Sequence, residues 1–330
     1  MQARVGTDVP HEEALTPGRT CPLAYRYGAE SLAREADLAA PALYVVGGLY
    51  GNPFALERVM GMVEAEPGAR LVFNGDFNWF DRDDDDFVRI NETVLQHAAI
   101  RGNVETELLS PDAAAGCGCG YPDYVDDADV ARSNAIMGLL AQTARRHRAL
   151  SERLAALPMT LVAQVGSARV GIVHGDADSL AGWQFGEEAI VEGAVTRAFD
   201  AARTDVFAST HTCAAVAQTF SAARGDAALI NNGAAGMPNF AGTCFGVATR
   251  IGIVPAPASA RVLYRAQVAG VHVEALAIDY DHAAWLAHFD AHWPAESPAA
   301  VAYRRRIAEG PGYALARAPR GAFVTTPAVV

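Results

Sequence analysis

Strand-like runs in this chain lead, one after another, into short motifs of glycine, aspartate, asparagine and histidine, and this ordered series constrains the fold more than any other feature of the sequence. Ala42–Val46 leads into Gly48-Leu49-Tyr50-Gly51-Asn52, Arg70–Asn74 into Gly75-Asp76, and Ala98–Arg101 into Gly102-Asn103-Val104-Glu105. Further on, Arg169–His174 ends in His174-Gly175-Asp176, and Asp205–Ala208 precedes His211-Thr212-Cys213. Between the first runs the apolar period changes. Phe54, Leu56, Val59, Met60 and Val63 have helical spacing within Asn52–Glu66, and Phe87–His97 has helical character. This β-α-β-α-β order predicts an α/β layered fold.

The second half is poorer in helices. Asp126–Leu157 is the longest helical pattern, broken once, and it precedes strand-like Met159–Val165 and Arg169–His174 around the turn Gly166-Ser167. Later strands are expected at Asp205–Ala208, Ala214–Phe220, Ala227–Asn231, Phe245–Val254, Arg261–Ala266 and Gly270–Ile278, with closing helices at Asp281–Trp293 and Ala299–Ala308. The expected organisation is an irregular N-terminal extension over 1–40 and one domain over 41–280 with a helical insertion at about 111–157. C-terminal helices and a tail over 281–330 pack on the same domain.

Composition excludes some functions. A formal charge of -12 argues against a broad nucleic-acid footprint, which needs clustered basic residues. No apolar run approaches the roughly 20 residues that span a bilayer, so no membrane association is expected. The first 40 residues contain no apolar signal core, and a cytoplasmic location is the expectation. Five cysteines, an odd count without secretory context, speak against a disulfide framework, and Cys21 and Cys244 read as packing residues. The run Asp81–Asp86 reads as a solvated loop or a helix N-terminus.

In their order and spacing the motifs resemble those of the calcineurin-like metallophosphoesterases, whose pattern is D-x-H, G-D, G-N-H-[D/E], a lone H and G-H-x-H. Ile230-Asn231-Asn232-Gly233-Ala234-Ala235-Gly236-Met237-Pro238 resembles the N-P-G-S-x-G-x-P turn of the phosphodiesterase-like branch. The resemblance spans roughly residues 42–295. It implies a four-layer α-β-β-α sandwich of two mixed sheets and a centre in which two metals share one aspartate.

Mapped residue by residue, the resemblance is asymmetric. The first metal site would use the D-x-H pair, the shared Asp and the last His, and here those unshared positions hold Gly48, Tyr50 and Cys213. The second would use Asp76, Asn103, His174 and His211, all present. Two imidazoles, a carboxylate and an amide oxygen suit Mn, Fe(II) or Zn, so the resemblance implies one divalent metal rather than two. Val104 replaces the family's leaving-group histidine and can neither donate nor accept a proton.

The implied activity is hydrolysis of a small phosphomonoester or phosphodiester, with Asp76 and Tyr50 as catalytic candidates and Asn78 and Trp79 as candidate pocket residues. Two alternatives stay open. One is a catalytically degenerate binding or regulatory protein. The other is altered metal chemistry in which Cys213 joins Cys117 and Cys119, whose Cys-Gly-Cys spacing could present thiolates to a soft metal. Nothing in the sequence sets an oligomeric state.

Overall fold

The computed structural model describes residues 16–109 and 115–327; the first part of the N-terminal extension and the start of the helical insertion near 111 lie outside the described residues. The strands are β1 (Leu38–Ala39), β2 (Ala42–Val46), β3 (Ala69–Asn74), β4 (Ala98–Ile100), β5 (Thr160–Val165), β6 (Ala168–Val173) and β7 (Val206–Ser209), followed by β8 (Val216–Ala222), β9 (Gly225–Asn231), β10 (Gly246–Gly252), β11 (Val262–Val268), β12 (Val271–Ile278), β13 (Pro319–Arg320) and β14 (Val324–Thr325). They form two sheets of seven, ordered β1-β5-β6-β7-β9-β8-β13 and β14-β11-β12-β10-β2-β3-β4. Both are mixed: β2, β3 and β4 run parallel, while β10 pairs antiparallel to β2.

The period-2 geometry of a strand sorts side chains into layers. In β2, Leu43 and Val45 face the other sheet, where they meet Val170, Ile172 and Ile230, while Tyr44 and Val46 face the helices. On that side lie α1 (Pro53–Glu64), α2 (Asp84–Val94), α3 (Asn103–Glu107), α4 (Asp127–Arg146), α5 (Arg148–Ala155), α7 (His282–His292) and α8 (Pro298–Glu309). The far face of the other sheet carries α6 (Glu192–Ala202), through Val195, Phe199 and Ala202 against Phe207, Phe220 and Leu229. The expected four-layer arrangement of two mixed sheets is therefore present.

Local chemistry accounts for the helix starts. Asn52 accepts from the N–H groups of Phe54 and Ala55 at 3.0 Å and Pro53 opens α1. Asp83 caps α2 in the same way, accepting from Asp85 and Asp86 at 3.0 Å, so the acidic run serves a helix N-terminus as expected. The break in the long helical segment falls at His147. α6 was not expected: it has no side-chain cap and only three buried positions, a weak periodic signal. The region before residue 40, read as irregular, supplies an edge strand, β1, parallel to β5, and buries Tyr25 and Leu32. No helix among the described residues is long and apolar enough to cross a membrane.

Candidate metal centre

The C-terminal ends of β3, β6 and β7 converge on one point. Asp76 follows β3, His174 follows β6, and His211 lies two residues beyond β7. Their ligand atoms all lie within 4.8 Å of one another, and all three residues are buried. Such closeness requires glycine. A Cβ on Gly75 would stand 2.5 Å from His174 Nδ1, and one on Gly102 would stand 2.3 Å from Asp76 Oδ1. Asp76 itself has φ 58, in the left-handed region that a non-glycine residue enters at a cost.

Each histidine has one ring nitrogen engaged with a backbone carbonyl and the other turned into the cluster, toward Asp76 from His174 and toward His174 from His211. His174 Nδ1 lies 2.8 Å from the Asn74 carbonyl, leaving Nε2 3.3 Å from Asp76 Oδ1 and 3.1 Å from Asn103 Oδ1. His211 Nε2 lies 3.0 Å from the Cys119 carbonyl, leaving Nδ1 3.2 Å from His174 Nε2. A carbonyl can only accept, so these contacts take an outward N–H from each ring and turn the other nitrogen into the cluster, the arrangement that orients metal-binding imidazoles. Asn103 is turned by the same logic: its Nδ2 donates to the Cys117 carbonyl at 2.9 Å, so its oxygen faces His174.

The electrostatics suit a cation. Burial and the neighbouring His174 pull His211 down to about 3, so its ring is neutral. Burial opposes charge on both Asp76 and His174, yet their mutual attraction prevails, holding the Asp76 carboxyl below its ordinary range and His174 above its own. A proton between these two does part of what a divalent cation would do there. Donor set, tautomers and charge fit one divalent metal.

Glu105 builds the floor of the site. Its carboxylate accepts from the backbone N–H of Asp76 (2.8 Å), Phe77 (2.8 Å) and Gly102 (2.9 Å), tying the β3 loop to the start of α3. Burial and Asp76 push this carboxyl up, against the three N–H donors that favour its charged form. Glu105 sits in the first turn of α3, and its reach back to Asp76 depends on the tertiary fold.

At the other half of the centre the residues do not fit a metal. Tyr50 Oη lies 2.7 Å from Cys213 Sγ, joining two of the residues that the motif resemblance aligns with first-site ligands. The third, Gly48, has φ 63 and would bring a Cβ to 3.1 Å from the Tyr50 ring. Burial pushes both the Tyr50 phenol and the Cys213 thiol up, so both are neutral and protonated. The carboxyl that acts on this pair is Asp76, which is also engaged with His174.

Other expected site residues are redistributed. Trp79 lines the cavity, but Asn78 does not: it is buried behind the site, where it exchanges hydrogen bonds with Asn91 and donates to Glu105 at 3.3 Å. The thiolate reading of Cys117, Cys119 and Cys213 is corrected as well. Cys117 and Cys119 form a disulfide, against the expectation of free thiols, and sulfurs bonded to each other offer no thiolate. It is their carbonyls that serve the centre. The turn after β9 is structural: Gly236 N–H donates to Gly48 O at 2.9 Å, and a Cβ on Gly236 would collide with the Leu49 carbonyl.

A cavity of about 270 Å³ opens onto Asp76, Asn103 and His211. Trp79, Tyr121, Trp183 and Tyr303 give it aromatic walls, while α4 adds Asp129 and Ser133. Sequence reasoning missed Trp183, which donates to the Cys119 carbonyl at 2.9 Å, and Arg306 of α8, since neither lies in a motif.

No protein-family model matches the sequence, and no curated protein matches it significantly. Solved structures do match. A metallophosphoesterase from Sphaerobacter thermophilus superposes with a TM-score of 0.53 at 17% identity, covering 82% of this chain and 100% of that one. A hypothetical protein from Pyrococcus horikoshii OT3 gives 0.55 at 15% identity, covering 83% and 99%. The chain has the calcineurin-like metallophosphoesterase fold.

Proposed function

We propose that this protein is a metal-dependent phosphoric ester hydrolase acting on a small phosphomonoester or phosphodiester with one divalent cation, Mn, Fe or Zn. Asp76, Asn103, His174 and His211 would hold it. The observation that carries the reading is the pair of inward-facing imidazole nitrogens beside Asp76, each set by a backbone carbonyl. The cation would supply Lewis acidity toward a phosphoryl oxygen and toward water.

The chain's own residues define the rest. Glu105 holds the Asp76 backbone, and Trp79 and Trp183 exclude water from the cavity walls. Tyr50, neutral and beside the cavity, can donate one hydrogen bond to a substrate oxygen but is no base at ordinary pH. Val104 leaves no acid at the position of the family's leaving-group histidine. Esters whose alcohol departs without protonation, such as aryl phosphates, are the substrates this arrangement favours.

The test combines elemental analysis with turnover of an aryl phosphate and a bis-aryl phosphate ester. One metal equivalent, lost in His211→Ala, and turnover abolished in Asp76→Ala are expected. Absence of metal after incubation with Mn, Fe(II) and Zn would reject the reading. The closed Tyr50–Cys213 half-site also favours a second reading, a binding protein without turnover, which metal and ligand binding without hydrolysis would establish.

A further inference from the structure

We propose that Arg306 is a phosphoryl-binding residue, a fixed guanidinium that stands beside the lost first metal site and supplies the positive charge that site no longer holds. The proposal rests on the one-metal reading above and names how such a centre would grip its substrate.

Arg306 reaches the cavity from α8, outside every sequence motif, and among the described residues it is the only arginine lining it. Its Nη2 donates to the Cys213 carbonyl at 2.5 Å and its Nε to the Pro238 carbonyl at 3.2 Å. These bonds fix the guanidinium plane against the backbone of the residue that replaces a first-site histidine. They do not neutralise it. The neighbouring Arg304 pairs with Asp290 at 2.8 Å, whereas Arg306 has no carboxylate within 4.0 Å among the described residues.

A half-buried guanidinium held by two neutral carbonyls, with Nη1 lacking a protein partner among the described residues, is an uncompensated charge in a pocket. Its planar fork matches the oxygens of a phosphoryl group better than any other anion-binding side chain. Asp76 and His211 line the same cavity of about 270 Å³, so a phosphorylated ligand in it has Arg306 and the proposed metal ligands on its walls. Two-metal enzymes neutralise such a group with two cations. Here Tyr50 and Cys213, in contact at 2.7 Å, would occupy one of those places, and Arg306 lies against the Cys213 backbone.

A purely structural role, pinning α8 to the loops at Cys213 and Pro238, is the competing account. The two separate on phosphate affinity. Binding of inorganic phosphate is measured by calorimetry on Mn-incubated and metal-free protein, for the wild type, Arg306→Gln and Arg306→Lys, with metal content and circular dichroism recorded for each.

The expected result is phosphate binding about ten- to a hundredfold weaker in Arg306→Gln, partly restored in Arg306→Lys, with metal content unchanged. Equal affinity in the wild type and Arg306→Gln overturns the proposal while leaving the one-metal reading intact. So does a metal-loaded wild type that binds no phosphate. If the wild type takes no metal, the one-metal reading falls, and the metal-free comparison still decides Arg306: weaker phosphate binding in Arg306→Gln upholds it, equal or absent binding rejects it. Should Arg306→Gln misfold, the Lys variant, which keeps charge but loses the fork, carries the comparison.

Discussion

Tyr50 and Cys213 touch, phenol oxygen to thiol sulfur at 2.7 Å, across what would be the first metal site of a two-metal centre. Both residues have positive φ, 55 and 57, in the left-handed region that a non-glycine residue enters at a cost. The two replacements satisfy each other, and with Gly48 they form one packed unit.

This unit predicts how a second metal could return. Gly48→Asp alone places a Cβ 3.1 Å from both the Tyr50 ring and the Ala234 Cα at a φ of 63, and should cost about 1–2 kcal/mol of stability without adding metal. The triple change Gly48→Asp, Tyr50→His and Cys213→His should raise the metal count from one to two equivalents. Elemental analysis checks it, and a count that stays at one would show that the loss lies elsewhere.

Glu105 should behave as a structural anchor. Glu105→Ala leaves three buried N–H groups without their acceptor, at about 1–3 kcal/mol for a single group, so a loss of at least 3 kcal/mol in urea denaturation is expected. Glu105→Gln, which keeps one acceptor oxygen, should lose less. Equal stability of wild type and Glu105→Ala would remove Glu105 from the floor of the site.

The Cys117–Cys119 loop predicts redox sensitivity of metal affinity. Its carbonyls fix Asn103 and His211, and glycines at 116, 118 and 120, all at positive φ near 60, shape it. Opening the disulfide with a dithiol reductant, or Cys117→Ser with Cys119→Ser, should relax those carbonyls and weaken metal binding about 10- to 100-fold. Competition with a chelator measures it, and unchanged affinity would limit the disulfide to packing.

The candidate centre was legible because Asp76, Asn103, His174 and His211 stand in the order and spacing of a known motif series, the first three of them next to a glycine. β1, β13 and β14, two residues each, are too short to carry a period. Asn78 sits in sequence beside Asp76, yet the chain turns it away toward Asn91, a direction that spacing cannot encode. Arg306 escaped notice because it is 93 residues from the Cys213 whose carbonyl it grips, and only the docking of α8 brings them together.

Away from the site, Arg250 offers a test with a definite pH sign. Its side chain is fully buried in β10 between Glu274, at 2.6 Å, and Glu66, whose carboxylate it meets through Nε at 2.8 Å. Burial pushes the Glu66 carboxyl up, but hydrogen bonds from Arg250 and Tyr44 outweigh it and hold it below the usual range. A carboxyl depressed on folding contributes stability that is present above its unfolded value of about 4.3 and is lost as pH falls through the lower folded value. Arg250→Met should therefore lose about 3–5 kcal/mol near neutral pH, because Glu274 is left buried without its partner. Acidification below about pH 4 protonates Glu66 and removes its contribution from the wild type, which should narrow the gap between variant and wild type. Thermal melts from pH 7 to pH 3 check this, and a gap that stays constant or widens on acidification would contradict the assigned pairing.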